Sequence, residues 1–100
     1  MSIYVDLDGT LAEYGGYQAG QIGKPVPVMM GRVQRWLAVG ETVKIFTARA
    51  AIPAEVTIIK KWLEDNGLPE LEVTNVKGFD ASEFWDDRAI RVKMNAGTVV

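Results

Sequence analysis

Residues 3–10 read Ile3-Tyr4-Val5-Asp6-Leu7-Asp8-Gly9-Thr10. An apolar run suited to a short buried strand, Ile3–Leu7, carries one aspartate inside it and a second directly after it. Aspartate is a poor strand former and is costly to bury. Asp8-Gly9 alone would be an ordinary turn pair. Asp6 is harder to dismiss, because it interrupts the apolar run itself. Two carboxylates at the end of the first strand therefore need a partner from elsewhere in the chain.

Downstream, Gly9 to Lys24 shows no clean period and reads as a loop or small flap, with Glu13 to Gly23 at its centre. Met29, Met30, Val33, Trp36 and Leu37 then make an apolar helical stripe behind Pro25 and Pro27, with Gly40 placed as a C-terminal stop. Thr42–Thr47 is a β-branched, apolar strand, and Arg49–Ile52 is a turn. Pro53 opens a second helix with Val56, Ile59, Trp62 and Leu63 on its inner face, stopped by Asn66-Gly67. Leu71–Asn75 and Glu83–Asp86 are the next strands, and Ala89–Val92 is a candidate fifth. Strands alternating with helices specify an α/β fold. We expect a single domain over residues 1–100, Rossmann-like, a three-layer sandwich around a mostly parallel sheet. Ligands on such sheets bind at the carboxyl ends of the strands.

Those ends carry a consistent chemistry. The first delivers Asp6 and Asp8, the second Thr47 and then Arg49, the fourth Asp86 and Asp87, while Lys77 follows the third. Each has a plain structural alternative: a turn aspartate, a strand threonine, a solvated lysine, a cap. Gathered at one rim they do not. Two carboxylates about 4 Å apart repel by roughly 4 kcal/mol at an effective dielectric near 20. A domain of this size has only about 5–15 kcal/mol of net stability. A divalent cation or a retained proton would relieve that repulsion. A magnesium ion bound by carboxylates also keeps positions for phosphate oxygens, with Lys77 and the Thr47 hydroxyl as further partners.

Composition narrows the choice. The 100 residues contain no histidine and no cysteine. That excludes thiol nucleophiles, serine–histidine relays and the usual zinc sites. A net charge of −2 without long charge runs gives no reason to expect a nucleic-acid or membrane surface as partner. No lysine or arginine precedes Lys24 and no long apolar stretch occurs, so a cytoplasmic location without membrane attachment is expected.

With these residues assembled, the chain resembles the haloacid dehalogenase-like phosphohydrolases. Asp6-Leu7-Asp8-Gly9-Thr10 matches their DxDGT box, and Thr47, Lys77 and Asp86-Asp87 follow in the family's order over residues 3–88. The resemblance implies a magnesium-dependent phosphomonoesterase. Asp6 would be the nucleophile that becomes an aspartyl phosphate, and Asp8 the general acid and then base. Mg2+ would be held by the Asp6 carboxylate, the Asp8 main-chain carbonyl and the Asp86-Asp87 pair, while Thr47 and Lys77 grip the phosphoryl group. Lys93 and Lys44 are worse placed than Lys77, one beyond the acidic pair and one inside a strand. Arg49 is a candidate substrate contact or ion-pair partner, and Arg88 a structural one. Tyr14 and Tyr17 would stack on a ligand or pack the flap down.

Many members of that family carry a large cap domain, for which this chain has no room. An open site suits a phosphorylated small molecule, a macromolecular substrate, or a second copy of the chain acting as lid. The step Thr47-Ala48-Arg49 also resembles polynucleotide phosphatase domains, which makes a 3′-phosphatase on nucleic-acid ends the alternative. A phospho-aspartate receiver uses similar residues, but there the acidic pair ends the first strand rather than the last. A catalytically retired binding module has no support while every catalytic position is filled.

Overall fold

The computed structural model describes residues 1–100. Four strands and two helices follow in the order β1 (Ser2–Val5), α1 (Pro27–Ala38), β2 (Thr42–Phe46), α2 (Pro53–Asp65), β3 (Glu72–Thr74) and β4 (Ala81–Trp85). The sheet order is β3-β2-β1-β4 and every pairing is parallel. The expected α/β, Rossmann-like arrangement is therefore present, with each strand within about two residues of its expected bounds. The candidate fifth strand is not: Ala89–Val92 lies in an exposed arm whose one bridge, Val92 to Val99, is antiparallel and outside the sheet.

Both helices begin and end for local reasons. Pro27 and Pro53 each stand in the first helical turn, where their missing N–H costs nothing. Gly40 and Gly67 have φ of 87° and 78°, which lets the chain reverse out of each helix. The Gly40 and Glu41 N–H groups donate back to Leu37 and Trp36, and those of Gly67 and Leu68 to Glu64 and Leu63. Each helix thus ends in a Schellman motif that satisfies its last carbonyls.

Met29, Met30 and Val33 of α1 and Ile59 and Leu63 of α2 join one core with Ile3, Val5, Val43 and Ile45 of the sheet. Side chains alternate across a strand. The even-numbered neighbours Tyr4, Phe46 and Phe84 therefore point to the opposite face, where they pack on one another with ring centroids 5.0–5.6 Å apart.

Both helices thus cover one face, and the molecule has two layers rather than the expected three. The reason is chain length. A parallel crossover with a helix needs a dozen or more residues, and only residues 75–80 separate β3 from β4. This segment runs across the helix-free face without a helix. Tyr4 donates to Asp80 at 2.6 Å, and Lys44 bridges Asp80 and Glu72 at 2.8 and 3.1 Å. These ties stand where a third layer would otherwise pack. No helix is long and apolar enough to cross a membrane.

Candidate active site

The β1–β4 register places the acidic groups together. Val5 pairs with Trp85, and the Asp6 N–H extends the ladder by donating to the Trp85 carbonyl at 2.9 Å. Adjacent strands are about 4.8 Å apart, so Asp6 and Asp86 leave the sheet side by side. One carboxylate oxygen from each of Asp6, Asp86 and Asp87 lies within 4.8 Å of the other two. Residues from near the two ends of the chain converge at this rim.

The turn after β1 is pinned from below. Leu7 and Leu11 are fully buried, and the Thr10, Leu11 and Ala12 N–H groups fold back onto the Leu7 carbonyl. Gly9 sits at φ 89°, and a Cβ there would come within 2.6 Å of Asp87 Oδ2. Glycine at this position thus serves both the turn and the close approach of Asp87. Thr10 Oγ1, nearly buried, lies 3.3 Å from Asp6 Oδ2 and from Asp87 Oδ1 and donates to one at a time. Asp86 Oδ1 accepts the Arg88 N–H at 2.7 Å, which fixes the acidic loop.

Burial foremost, then the Asp86 charge and the Asp87 carboxyl, pushes the Asp6 carboxyl up to about 7. A carboxyl raised this far keeps its proton in weakly acidic solution, which relieves the repulsion within the trio there. A donor set made only of carboxylate oxygens suits a hard divalent ion such as Mg2+.

Asp6, Asp8, Thr47, Arg49, Asp86 and Asp87 line one cleft of about 400 Å³, with Tyr14 and Tyr17 at its mouth. Thr47 is buried at the end of β2. Its hydroxyl accepts the Arg49 N–H at 3.2 Å and starts a short turn of 3₁₀ helix over Ala48–Ala51. The hydroxyl's own proton remains free for a ligand. Asp8 is not part of the acidic trio. Both of its oxygens accept from Arg49, Oδ2 from Nε at 2.8 Å and Oδ1 from Nη2 at 3.1 Å. Arg49 was expected either to contact substrate or to form an ion pair; here it makes the ion pair while lining the cleft.

Lys77 stands elsewhere. It lies in the crossover segment, with its ammonium 5.2 Å above the Phe84 ring. It lines an open cavity of about 880 Å³ on the helix-free face, which shares Asp86 with the cleft but contains neither Asp6 nor Thr47. The segment after β3 crosses the helix-free face, so Lys77 lines the cavity on the other side of Asp86's strand rather than the cleft of Asp6 and Thr47. Lys44 is committed to Asp80 and Glu72, and Lys93 lies in the exposed arm.

Two residues of the site were not singled out from sequence. Thr10 belongs to the first box. Glu55 is 4% exposed in the first turn of α2 and bonds Arg49, Tyr17 and Gly20. Its signal was present: Glu55, Ile59 and Leu63 recur four apart, so a charged residue stands on the apolar stripe. Tyr17 packs the flap down, as its structural alternative held, with its ring 4.9 Å from the Arg49 guanidinium carbon.

Comparisons with known protein families, with curated proteins and with solved structures found no match.

Proposed function

We propose that this protein is a magnesium-dependent phosphomonoesterase that works through an aspartyl phosphate on Asp6. The observation that carries the reading is the meeting of Asp6 with Asp86 and Asp87 beside a cleft lined by a hydroxyl and a guanidinium. Without a cation this cluster is a liability to the fold. With Mg2+ on Asp6, Asp86 and Asp87 it becomes a phosphate site, because the bound ion would offset the carboxylate charges and screen those of the substrate.

The chain's own groups then divide the work. An Asp6 oxygen attacks phosphorus and the bond to the leaving oxygen breaks. Asp8, once Arg49 has swung off its carboxylate, takes up a proton from solvent and gives that proton to the leaving oxygen. Asp8 next takes a proton from water, whose oxygen attacks phosphorus, frees inorganic phosphate and restores the Asp6 carboxylate. The Thr47 hydroxyl and Arg49 donate to the phosphoryl oxygens, where charge accumulates. Arg49 and Arg88 are the cations that line this cleft, and of the two Arg49 stands next to Thr47 and Asp8; Lys77 lines the neighbouring cavity that shares Asp86.

A cleft of this size takes a small phosphate ester, and its open mouth also leaves room for the end of a longer chain. A screen of nucleotides, sugar phosphates and 3′-phosphorylated DNA ends, with and without Mg2+, tests the proposal. The expected result is phosphate release that requires Mg2+ and is abolished by Asp6→Asn. Metal-independent release, or an active Asp6→Asn protein, overturns it. Preference for DNA ends would select the nucleic-acid alternative.

A further inference from the structure

Glu55 does none of the ordinary work of its position. At the third residue of a helix, a glutamate commonly reaches back to the N-cap N–H. Here the N-cap is Ile52, which offers no side-chain cap, and the Glu55 carboxylate turns inward instead. It is almost fully buried, and each oxygen is committed to a different part of the molecule. Oε2 accepts from Arg49 Nη1 at 3.1 Å. Oε1 accepts from the Tyr17 hydroxyl at 3.0 Å and the Gly20 N–H at 2.7 Å, both in the flap.

Arg49 is thereby held along both edges. Its Nε/Nη2 fork grips Asp8 and its Nη1 is anchored on Glu55, while the Tyr17 ring covers one face. That fork fits a phosphate as well as a carboxylate. When a substrate phosphoryl group draws the fork off Asp8, Glu55 is the one carboxylate still holding the guanidinium in the cleft. The Gly20 N–H, with Arg49 and Tyr17, holds the Glu55 carboxyl below its ordinary range, so the anchor is charged at neutral pH.

We propose that Glu55 is a positioning residue of this site: it is the pivot on which Arg49 exchanges Asp8 for the phosphoryl group, and it couples the flap to that exchange. The inference rests on the phosphatase reading for its kinetic part and on the geometry alone for its flap part.

Glu55→Gln and Tyr17→Phe separate the two. Glutamine keeps an oxygen for Tyr17 and Gly20 but presents an amide donor to Arg49. Phenylalanine keeps the ring over Arg49 and loses only the hydroxyl tie. Glu55→Gln is expected to lower kcat at least tenfold with KM within about threefold, at unchanged circular dichroism. In an Arg49→Lys background it should add less than twofold, because it acts through Arg49. Tyr17→Phe is expected to raise KM severalfold and to speed chymotryptic cleavage after the exposed Tyr14. Glu55→Ala, which removes every tie, should speed that cleavage more. An active wild type whose kcat survives Glu55→Gln, or a Glu55→Gln effect undiminished by Arg49→Lys, overturns the pivot. Flap cleavage unchanged in both Tyr17→Phe and Glu55→Ala overturns the coupling. A wild type inactive on every monoester overturns the phosphatase reading and the pivot with it, while cleavage still decides the flap coupling.

Discussion

Replacing Asp6 by asparagine should make the ion-free protein more stable while destroying its activity. Three carboxylate oxygens lie within 4.8 Å of one another. At an effective dielectric near 20, each ionised pair at that distance repels by roughly 3–4 kcal/mol. Burial, the larger cause, and this repulsion together lift Asp6 from 3.8 to about 7. A rise of that size corresponds to roughly 4 kcal/mol, which solvent screening at this half-exposed carboxyl reduces to about 2 kcal/mol. The sign follows from proton linkage. Between pH 4 and 7 the folded protein binds more protons at Asp6 than the unfolded chain does, so stability falls as pH rises through that window. The penalty is absent below about pH 4 and complete above about pH 7. Asp6→Asn removes it, for an expected gain of roughly 8–16 °C in Tm at pH 8 without divalent ions, shrinking to little at pH 4. Thermal unfolding followed by circular dichroism, in EDTA and then in excess Mg2+, measures it. Mg2+ should raise the Tm of the wild type, by about 2.7 kcal/mol of stability at a hundred times its Kd, and leave the variant nearly unmoved. A variant no more stable than wild type at pH 8, or equally stabilised at pH 4, would refute the crowding argument.

Other outcomes follow from the same geometry. Gly9→Ala combines a left-handed φ with a Cβ that would sit 2.6 Å from Asp87 Oδ2; it should cost roughly 1–3 kcal/mol in urea unfolding and weaken Mg2+ binding measured by titration calorimetry. Arg49→Ala should lower kcat/KM at least a hundredfold and Lys77→Ala less, since Arg49 lines the cleft and Lys77 does not; steady-state kinetics of the two variants decide it, and the reverse order would return the phosphate-binding role to Lys77. Leu63→Ala, at a fully buried position on the inner face of α2, should cost about 2–5 kcal/mol in urea unfolding.

Much of this was legible in the sequence because the signals were local. Gly40 and Asn66-Gly67 mark the helix ends through backbone stereochemistry that needs no tertiary context. Asp6 announces itself by interrupting an apolar run. What could not be read depended on path and pairing. The position of Lys77 hinges on how six residues cross a sheet, and its distance along the chain from Asp86 does not reveal on which side of that residue it falls. The third layer was inferred from strand–helix alternation, yet the absence of any helical pattern between Thr74 and Ala81 already argued against it. Asp8 was assigned a role from its box, whereas its bidentate grip by Arg49 and the link onward to Glu55 arise from a contact between residues 41 positions apart.

The most direct measurement is capture of the acyl phosphate. Asp8→Asn protein is incubated with Mg2+ and a radiolabelled aryl phosphate that the wild type hydrolyses and whose phenolate departs without a proton from Asp8; it is then quenched in acid and digested. Label that resides on the fragment containing Asp6 and is released by hydroxylamine is the predicted result. Phosphate released by the wild type with no such label in the variant, or label on any other fragment, would contradict the assignment of Asp6 as nucleophile.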